Sequence, residues 1–315
     1  MMRSKRSNPK LNPNPPEMKS SKHVFDAIGT KWSIEIGTPL TDTKQAIILT
    51  KIKKRIDLFD KTYSRFLPDS LVTKMSQKKG KYLLPADAEE LLKLYKKLYD
   101  ITDHAFTPLI GNTLSDAGYD ADYSLKPKNL TKPLSWSEAF EYLPPYIEIH
   151  KPVLLDFGAA GKGYIIDIIG QLLIENKIND FCIDAGGDIL YKTSKNESLR
   201  VGLEHLTDPT QVIGIAEIQN QSICASSGNR RKWAQFHHII NPNTLKSPTN
   251  TVATWAIADT GLIADGITTA LFFKPAKLLR LHFNFDYLVV FADKTYEISS
   301  NFPGELYTDI TSKNI

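Results

Sequence analysis

The stretch from Asp156 to Asp188 constrains the fold most, because a run of small residues, an apolar helical period and a diglycine follow one another without a linker. Residues 153–157 read as a buried strand, Gly158, Ala159, Ala160 and Gly161 as a tight turn, and Lys162 to about Asn176 as a helix. Residues 181–184 read as a second strand, closed by the turn Gly186-Gly187-Asp188. A helix N-terminus offers unpaired N–H groups and the positive end of a dipole, so the first turn suits a phosphate or diphosphate. Acidic residues at the borders of the stretch point to an accompanying cation.

Two familiar phosphate loops do not fit. A Walker-type loop needs Gly five residues before Gly-Lys and Ser or Thr after it, whereas Asp156 and Gly163 stand there. The spacing Gly158-Ala159-Ala160-Gly161-Lys162-Gly163 is not that of a dinucleotide fingerprint. The bland alternative is a close-packed crossover with no ligand.

A chain of 315 residues with 42% hydrophobic residues has material for one large domain or two intimately packed lobes. Its net charge of +4 comes from residues 1–22, where Arg3, Lys5, Arg6, Lys10, Lys19 and Lys22 face only Glu17, leaving the remainder near about −1. This Pro- and Asn-rich stretch is expected to be a disordered basic tail, with a single domain over 23–310, and nucleic-acid binding is set aside. The tail lacks the apolar core of about 7–15 residues that a secretory signal requires, and no later run is long enough to span a membrane. Cys182 and Cys224 sit in apolar or strand-like surroundings and read as buried thiols. A cytoplasmic location is the expectation.

Residues 25–37 alternate Trp32, Ile34 and Ile36, a strand after a Gly29-Thr30 turn, and residues 42–63 carry Ile48, Ile52, Ile56 and Phe59 at helical spacing. A loop around Pro68 leads to a short helix capped by Asp69 or Ser70, and a further helix spans residues 86–102. Phe66 in that loop is either a core plug or a flat face for a ring. Residues 112–143 are polar and read as a surface excursion ending in a helix over 135–142. Strands follow at 146–150, 189–192, 199–204, 212–219 and 222–226. The mixture favours an α+β fold with mixed and antiparallel sheets.

Two further stretches bear chemistry. His237 and His238 are adjacent on an expected strand, so they point to opposite faces, and at most one can serve as a proton acceptor in a given pocket. Asp265 and Thr269 are four apart on an otherwise apolar helix, and their hard oxygens suit Mg2+.

These residues carry a resemblance to the ApbE-like FAD:protein FMN transferases. The match includes Gly29-Thr30, Ser64-x-Phe66-x-Pro68-Asp69-Ser70, Phe106-x-Pro108 and Asp156-x-Gly158-x-x-Gly161-Lys162-Gly163-Tyr164-x-x-Asp167. It continues through Gly186-Gly187-Asp188, Ser227-Gly228, His237-His238-Ile239-x-x-Pro242 and Ala264-Asp265-x-x-x-Thr269-Ala270. The resemblance implies a two-lobed fold with FAD in the cleft between lobes. It implies a Mg2+-dependent reaction in which AMP leaves and FMN passes through its phosphate to a threonine hydroxyl of an acceptor flavoprotein. By motif position, Gly161, Asp265 and Thr269 would be metal ligands. Phe66, Ser70, Gly158, Lys162, Gly186, Gly187, Asp188 and Ser227 would contact FAD, Phe66 by stacking on the isoalloxazine, and His238 would be the base. An FAD diphosphatase and a non-catalytic flavin-binding protein are the alternatives, and the oligomer would be a monomer or homodimer. The sequence departs from the family pattern at Thr107 and Asn241, each in place of Asp, at Leu245 in place of Gly, and at Gly161 in place of Ala. Asp265-Gly266-Ile267-Thr268-Thr269 superficially resembles an acceptor motif but coincides with the expected metal ligands.

Overall fold

A computed structural model describes residues 21–307 and the backbone of 311–312. Its helices are α1 (Asp42–Tyr63), α2 (Leu71–Gln77), α3 (Ala88–Ile101), α4 (Gly111–Asp116), α5 (Trp136–Ala139), α6 (Gly161–Glu175), α7 (Gly261–Ala270) and α8 (Ala276–Leu279). The strands up to the middle of the chain are β1 (Ser21–Ala27), β2 (Thr30–Ile36), β3 (Gly80–Leu83), β4 (Phe140–Leu143), β5 (Tyr146–Ile149), β6 (Phe181–Ala185), β7 (Ile189–Lys192) and β8 (Leu199–Glu204). Then come β9 (Val212–Ile218), β10 (Ser222–Ser227), β11 (Lys232–Trp233), β12 (Phe236–His237), β13 (Thr251–Ala258), β14 (Asp286–Phe291), β15 (Thr295–Ile298), β16 (Gly304–Leu306) and β17 (Thr311–Ser312).

Nine strands form one sheet in the order β1-β2-β6-β7-β10-β13-β14-β15-β17, antiparallel except for the parallel pair β15–β17. Small sheets β3-β5-β4 and β16-β9-β8 and the ribbon β11-β12 complete the fold. Period-two alternation gives the large sheet two apolar faces. On β13, Ala256 and Ala258 join the core beneath the helices, while Ala253, Trp255 and Ile257 pack with Leu203, Ile213 and Ile218 of β8 and β9. Thr41 caps α1, its hydroxyl accepting the Lys44 N–H at 3.3 Å. Ile48, Ile52, Ile56 and Phe59 then bury one stripe of α1, each contributing about 1.5–3 kcal/mol.

The contact that positions the site is the crossing of α6 and α7. A Cβ on Gly163 would lie 1.9 Å from the Gly261 carbonyl oxygen, so only glycine lets the two helices meet backbone to backbone. Asp167, one turn further along α6, locks the crossing by accepting the Gly261 and Leu262 N–H groups at 2.7 and 2.8 Å, which caps α7. Thr254 of β13 donates to the Thr268 carbonyl at 2.8 Å and fixes α7 to the sheet.

Several expectations are corrected. Residues 153–157 are extended and bury Val153, Leu155 and Phe157, yet they join no sheet. Their backbone pairs instead with the 3-10 turn at Pro108 and with α4, Asp156 N–H with the Pro108 carbonyl and Leu154 N–H with the Asn112 side chain. The helix expected over 135–142 lasts one turn, because Phe140–Leu143 are drawn into a ladder with β5. Ser21 and Lys22, assigned to the tail, belong to β1, and residues 1–20 lie outside the described residues. His238 is not in a strand, since β12 stops at His237.

Candidate active site

A cleft of about 480 Å³ lies where the α6–α7 crossing, the β1–β2 turn, the residues on either side of the ribbon β11-β12 and the 112–135 excursion meet. It gathers Phe66, Gly158, Gly161, Lys162, Gly186, Ser227, His238, Asp265 and Thr269, nine of the twelve residues singled out from the sequence. Its polar end is built on the helix crossing. Asp265 is buried on α7, and its Oδ2 accepts the Gly163 N–H at 2.9 Å. Burial raises its pKa, against the pull of Lys162 and of backbone N–H groups of Gly163 and Lys162. The Gly163 N–H is therefore occupied by a carboxylate, the Gly161 N–H by the Phe157 carbonyl at 2.8 Å and the Gly158 N–H by Asp156 Oδ1 at 2.8 Å, so none of the three is free for phosphate. Positive charge for an anion must then come from side chains. Lys162 supplies one, held by Asp188 behind it.

Three predicted contacts fall outside the cleft wall. Ser70 is fully buried as the N-cap of α2, accepting the Thr73 N–H at 3.1 Å. Asp188 is 1% exposed and acts through Lys162 and the Ala225 N–H. Gly187 faces away, its N–H bound to Asp184 at 2.8 Å, whereas Gly186 (φ 70°) lets the diglycine turn press against Thr30, whose Oγ would lie 2.1 Å from an added Cβ. Ser70→Ala is expected to cost about 1 kcal/mol in denaturant unfolding, as lost helix caps do.

The two histidines have different surroundings, although His238 lies beyond β12 and strand alternation is not the cause. Both nitrogens of His237 are committed, Nε2 to the Pro248 carbonyl at 2.9 Å and Nδ1 to the Ile239 N–H at 3.3 Å, and its ring packs against Phe272 and Gly228. His238 lines the cleft with Nδ1 unpartnered. Burial, with Arg231, His237 and Lys162 nearby, lowers its pKa from 6.5 to about 3. An unfolded chain takes up this proton near pH 6.5 and the folded chain only near pH 3, so the stability tied to the neutral ring is complete above about pH 6.5 and is lost as pH falls toward about 3. Thermal melts across that window should show the stability difference between the parent and His238→Gln shrinking as the pH is lowered.

The other end of the cleft is aromatic and was largely missed. Phe66 stacks on Tyr123 (centroids 5.4 Å, 14°) and meets Tyr119 edge-on, so the face expected to receive a ring is covered by Tyr123. Arg65 and Arg231 also touch this wall, and Arg230 lines the cleft beside Gly186. Tyr119 and Tyr123 flank Asp120 in a segment whose polarity hid two aromatics at one spacing, and Arg65 stood unread inside the Ser64-x-Phe66 motif.

Among the described residues no cluster of three or more His, Cys, Asp or Glu could hold a metal, and no helix is long and apolar enough to cross a membrane. The cation set expected at Asp265 holds only one carboxylate, with a hydroxyl from Thr269 and a carbonyl from Gly161 beside it in the cleft.

The sequence model of the ApbE family matches residues 28–285. The chain belongs to the ApbE family. It is 28% identical over 296 residues to the FAD:protein FMN transferase of Buchnera aphidicola subsp. Schizaphis graminum, with 85% of each chain covered. It is 22% identical over 266 residues to that of Escherichia coli strain K12, covering 78% of this chain and 75% of that one. The ApbE protein of Thermotoga maritima has the same fold, with a TM-score of 0.76 at 20% identity over 91% of this chain and 100% of that chain. So does the flavin transferase ApbE of Vibrio cholerae, at 0.74 and 16% over 91% and 96%.

Two of the departures from the ApbE pattern keep the local turn. Thr107 caps the 3-10 turn Pro108–Ile110 by accepting the Leu109 N–H at 3.2 Å, as an Asp would. Asn241 Oδ1 accepts the Asn243 N–H at 2.9 Å, the turn an Asp also makes. Leu245 sits at φ 56°, which accounts for glycine as the usual residue there.

Proposed function

We propose that this protein transfers the FMN moiety of FAD to a threonine hydroxyl of an acceptor protein and releases AMP, with Mg2+ required. The observation that carries this reading is one cleft in which a buried carboxylate, Asp265, stands with Lys162 and His238 at one end and an aromatic wall at the other. The names of the curated relatives support transfer of FMN from FAD to a protein.

Asp265, Thr269 and the Gly161 carbonyl are all oxygen donors, the kind Mg2+ prefers, and a lone buried carboxylate with a raised pKa is one that a cation would stabilise in its charged form. When bound, the ion would supply charge neutralisation at the diphosphate. The chain's own groups do the rest. Lys162 binds a phosphate oxygen, and Asp188 holds it in place. His238 takes the proton of the acceptor hydroxyl as its oxygen bonds to the FMN phosphorus. The bond from that phosphorus to the bridging oxygen breaks, and AMP carries the oxygen away. The low pKa of His238 reflects nearby cations as well as burial, and an anionic diphosphate between them raises it toward a useful range.

The test is incubation of the full chain with FAD, Mg2+ and a flavoprotein subunit that carries a threonine flavinylation site. A fluorescent flavin band on the denatured acceptor supports transfer. Free FMN and AMP with unlabelled acceptor would make the protein a diphosphatase, and unchanged FAD would make it a binding module.

A further inference from the structure

The cleft contains a cation that the proposed reaction does not use. The Arg65 side chain is 2% exposed, and Nε donates to Asp156 Oδ2 at 2.5 Å. Both Nη1 and Nη2, with two N–H groups each, are closed off from solvent and have no hydrogen-bond partner. The guanidinium lies 4.2 Å from the centre of the Phe66 ring and 4.8 Å from that of Tyr119. Leaving donors of a charged group unmet costs about 1–3 kcal/mol or more, so the fold keeps them there for an acceptor that arrives later.

We infer that Arg65 reads the flavin ring, its free guanidinium edge donating to a carbonyl oxygen and the neighbouring nitrogen on the pyrimidine half of the isoalloxazine. The inference rests on the FAD reading of the cleft and names the group that selects the ring. A guanidinium fork matches two adjacent acceptors in one plane, which is what that edge of the ring presents. Asp156 already balances the charge of Arg65, which favours a neutral acceptor over a phosphate. The location agrees, because Arg65 packs into the aromatic end while Lys162 and Asp265 occupy the other. Of the aromatics joined in this packing, Tyr123 is 53% exposed and stacks on Phe66, so it is the side chain a flavin would displace to reach both Phe66 and the buried edge of Arg65.

The experiment compares FAD with ADP-ribose, which keeps the adenosine diphosphate and lacks the ring. Dissociation constants are measured in chelator, to prevent turnover, for the parent, Arg65→Met and Arg65→Lys, with melting temperatures taken alongside. The expected result is an FAD affinity lower by about 10- to 100-fold in Arg65→Met, the size of one or two charge-assisted hydrogen bonds, with ADP-ribose affinity unchanged. Arg65→Lys keeps the charge beside Asp156 but not the fork, so it should fall between, and it decides the matter if the Met variant does not fold. Equal losses for FAD and ADP-ribose would assign Arg65 to the phosphates and overturn the inference. A folded variant that binds FAD as the parent does would reduce Arg65 to a structural ion pair. A parent that binds no FAD would overturn the reading of the cleft and this inference with it.

Discussion

Asp265→Ala is expected to abolish turnover while the chain still folds. The carboxylate is buried, and its proposed task is to hold the cation that neutralises the diphosphate, so its removal takes several kcal/mol of stabilisation from the transition state, roughly a thousandfold or more in rate. The fold is spared because two effects oppose each other. The variant leaves the Gly163 N–H unpaired, which costs about 1–3 kcal/mol, and it also removes a carboxylate that burial holds in an unfavourable setting. Asp265→Asn isolates the charge, since it keeps an oxygen for Gly163, and it should be nearly as inactive as the alanine variant. FAD binding should be weaker than in the parent when Mg2+ is present and should converge with it in chelator. Full activity in either variant at ordinary Mg2+ concentration would remove Asp265 from the site.

His238→Gln should slow transfer by about 100- to 10,000-fold, the span usual for loss of a general base, with little change in FAD affinity. His237→Gln should behave differently. It breaks the tie to Pro248 and loosens the ring packed on Phe272, so it should lower stability by about 1–3 kcal/mol and leave the rate at saturating FAD close to that of the parent. Maximal rates, FAD dissociation constants and denaturation curves for both variants separate the two roles. If His238→Gln instead weakened FAD binding without slowing the saturated rate, the ring would be a packing surface. A larger rate loss for His237 would exchange the assignments.

The polar end of the cleft was legible in the sequence because its residues sit on long periodic elements. Asp265 and Thr269 are one turn apart on α7 and Gly161, Lys162 and Gly163 open α6, so spacing gives their local positions, while it was the family resemblance that assigned them to one site. Proximity between the two helices was not legible, since it depends on a backbone contact between Gly163 and Gly261, almost a hundred residues apart in the chain. The use of the Gly163 N–H was not legible for the same reason, as it is satisfied by Asp265 from another element. Ser70 shows the converse error: a motif position was read as a ligand contact when a local cap explained it fully. The strands β13, β14 and β15 were not resolved by the sequence reading, β13 and β14 being apolar on both faces and so lacking the alternation that marks a half-exposed strand. The aromatic wall was hidden because Tyr119, Tyr123 and Arg65 come from loops, where no period links a residue to its neighbours in space.

The glycine contact between α6 and α7 also divides the cleft into a part that cannot give and a part that can. With the two backbones touching, and Asp167 and Thr254 pinning α7 on either side, Gly161, Lys162, Asp265 and Thr269 ride on a single rigid block. Latitude belongs to the opposite wall, where an exposed tyrosine stacks over Phe66 on a loop. Efforts to make this scaffold carry other ring systems should therefore mutate residues 119–125 and leave the helix crossing untouched.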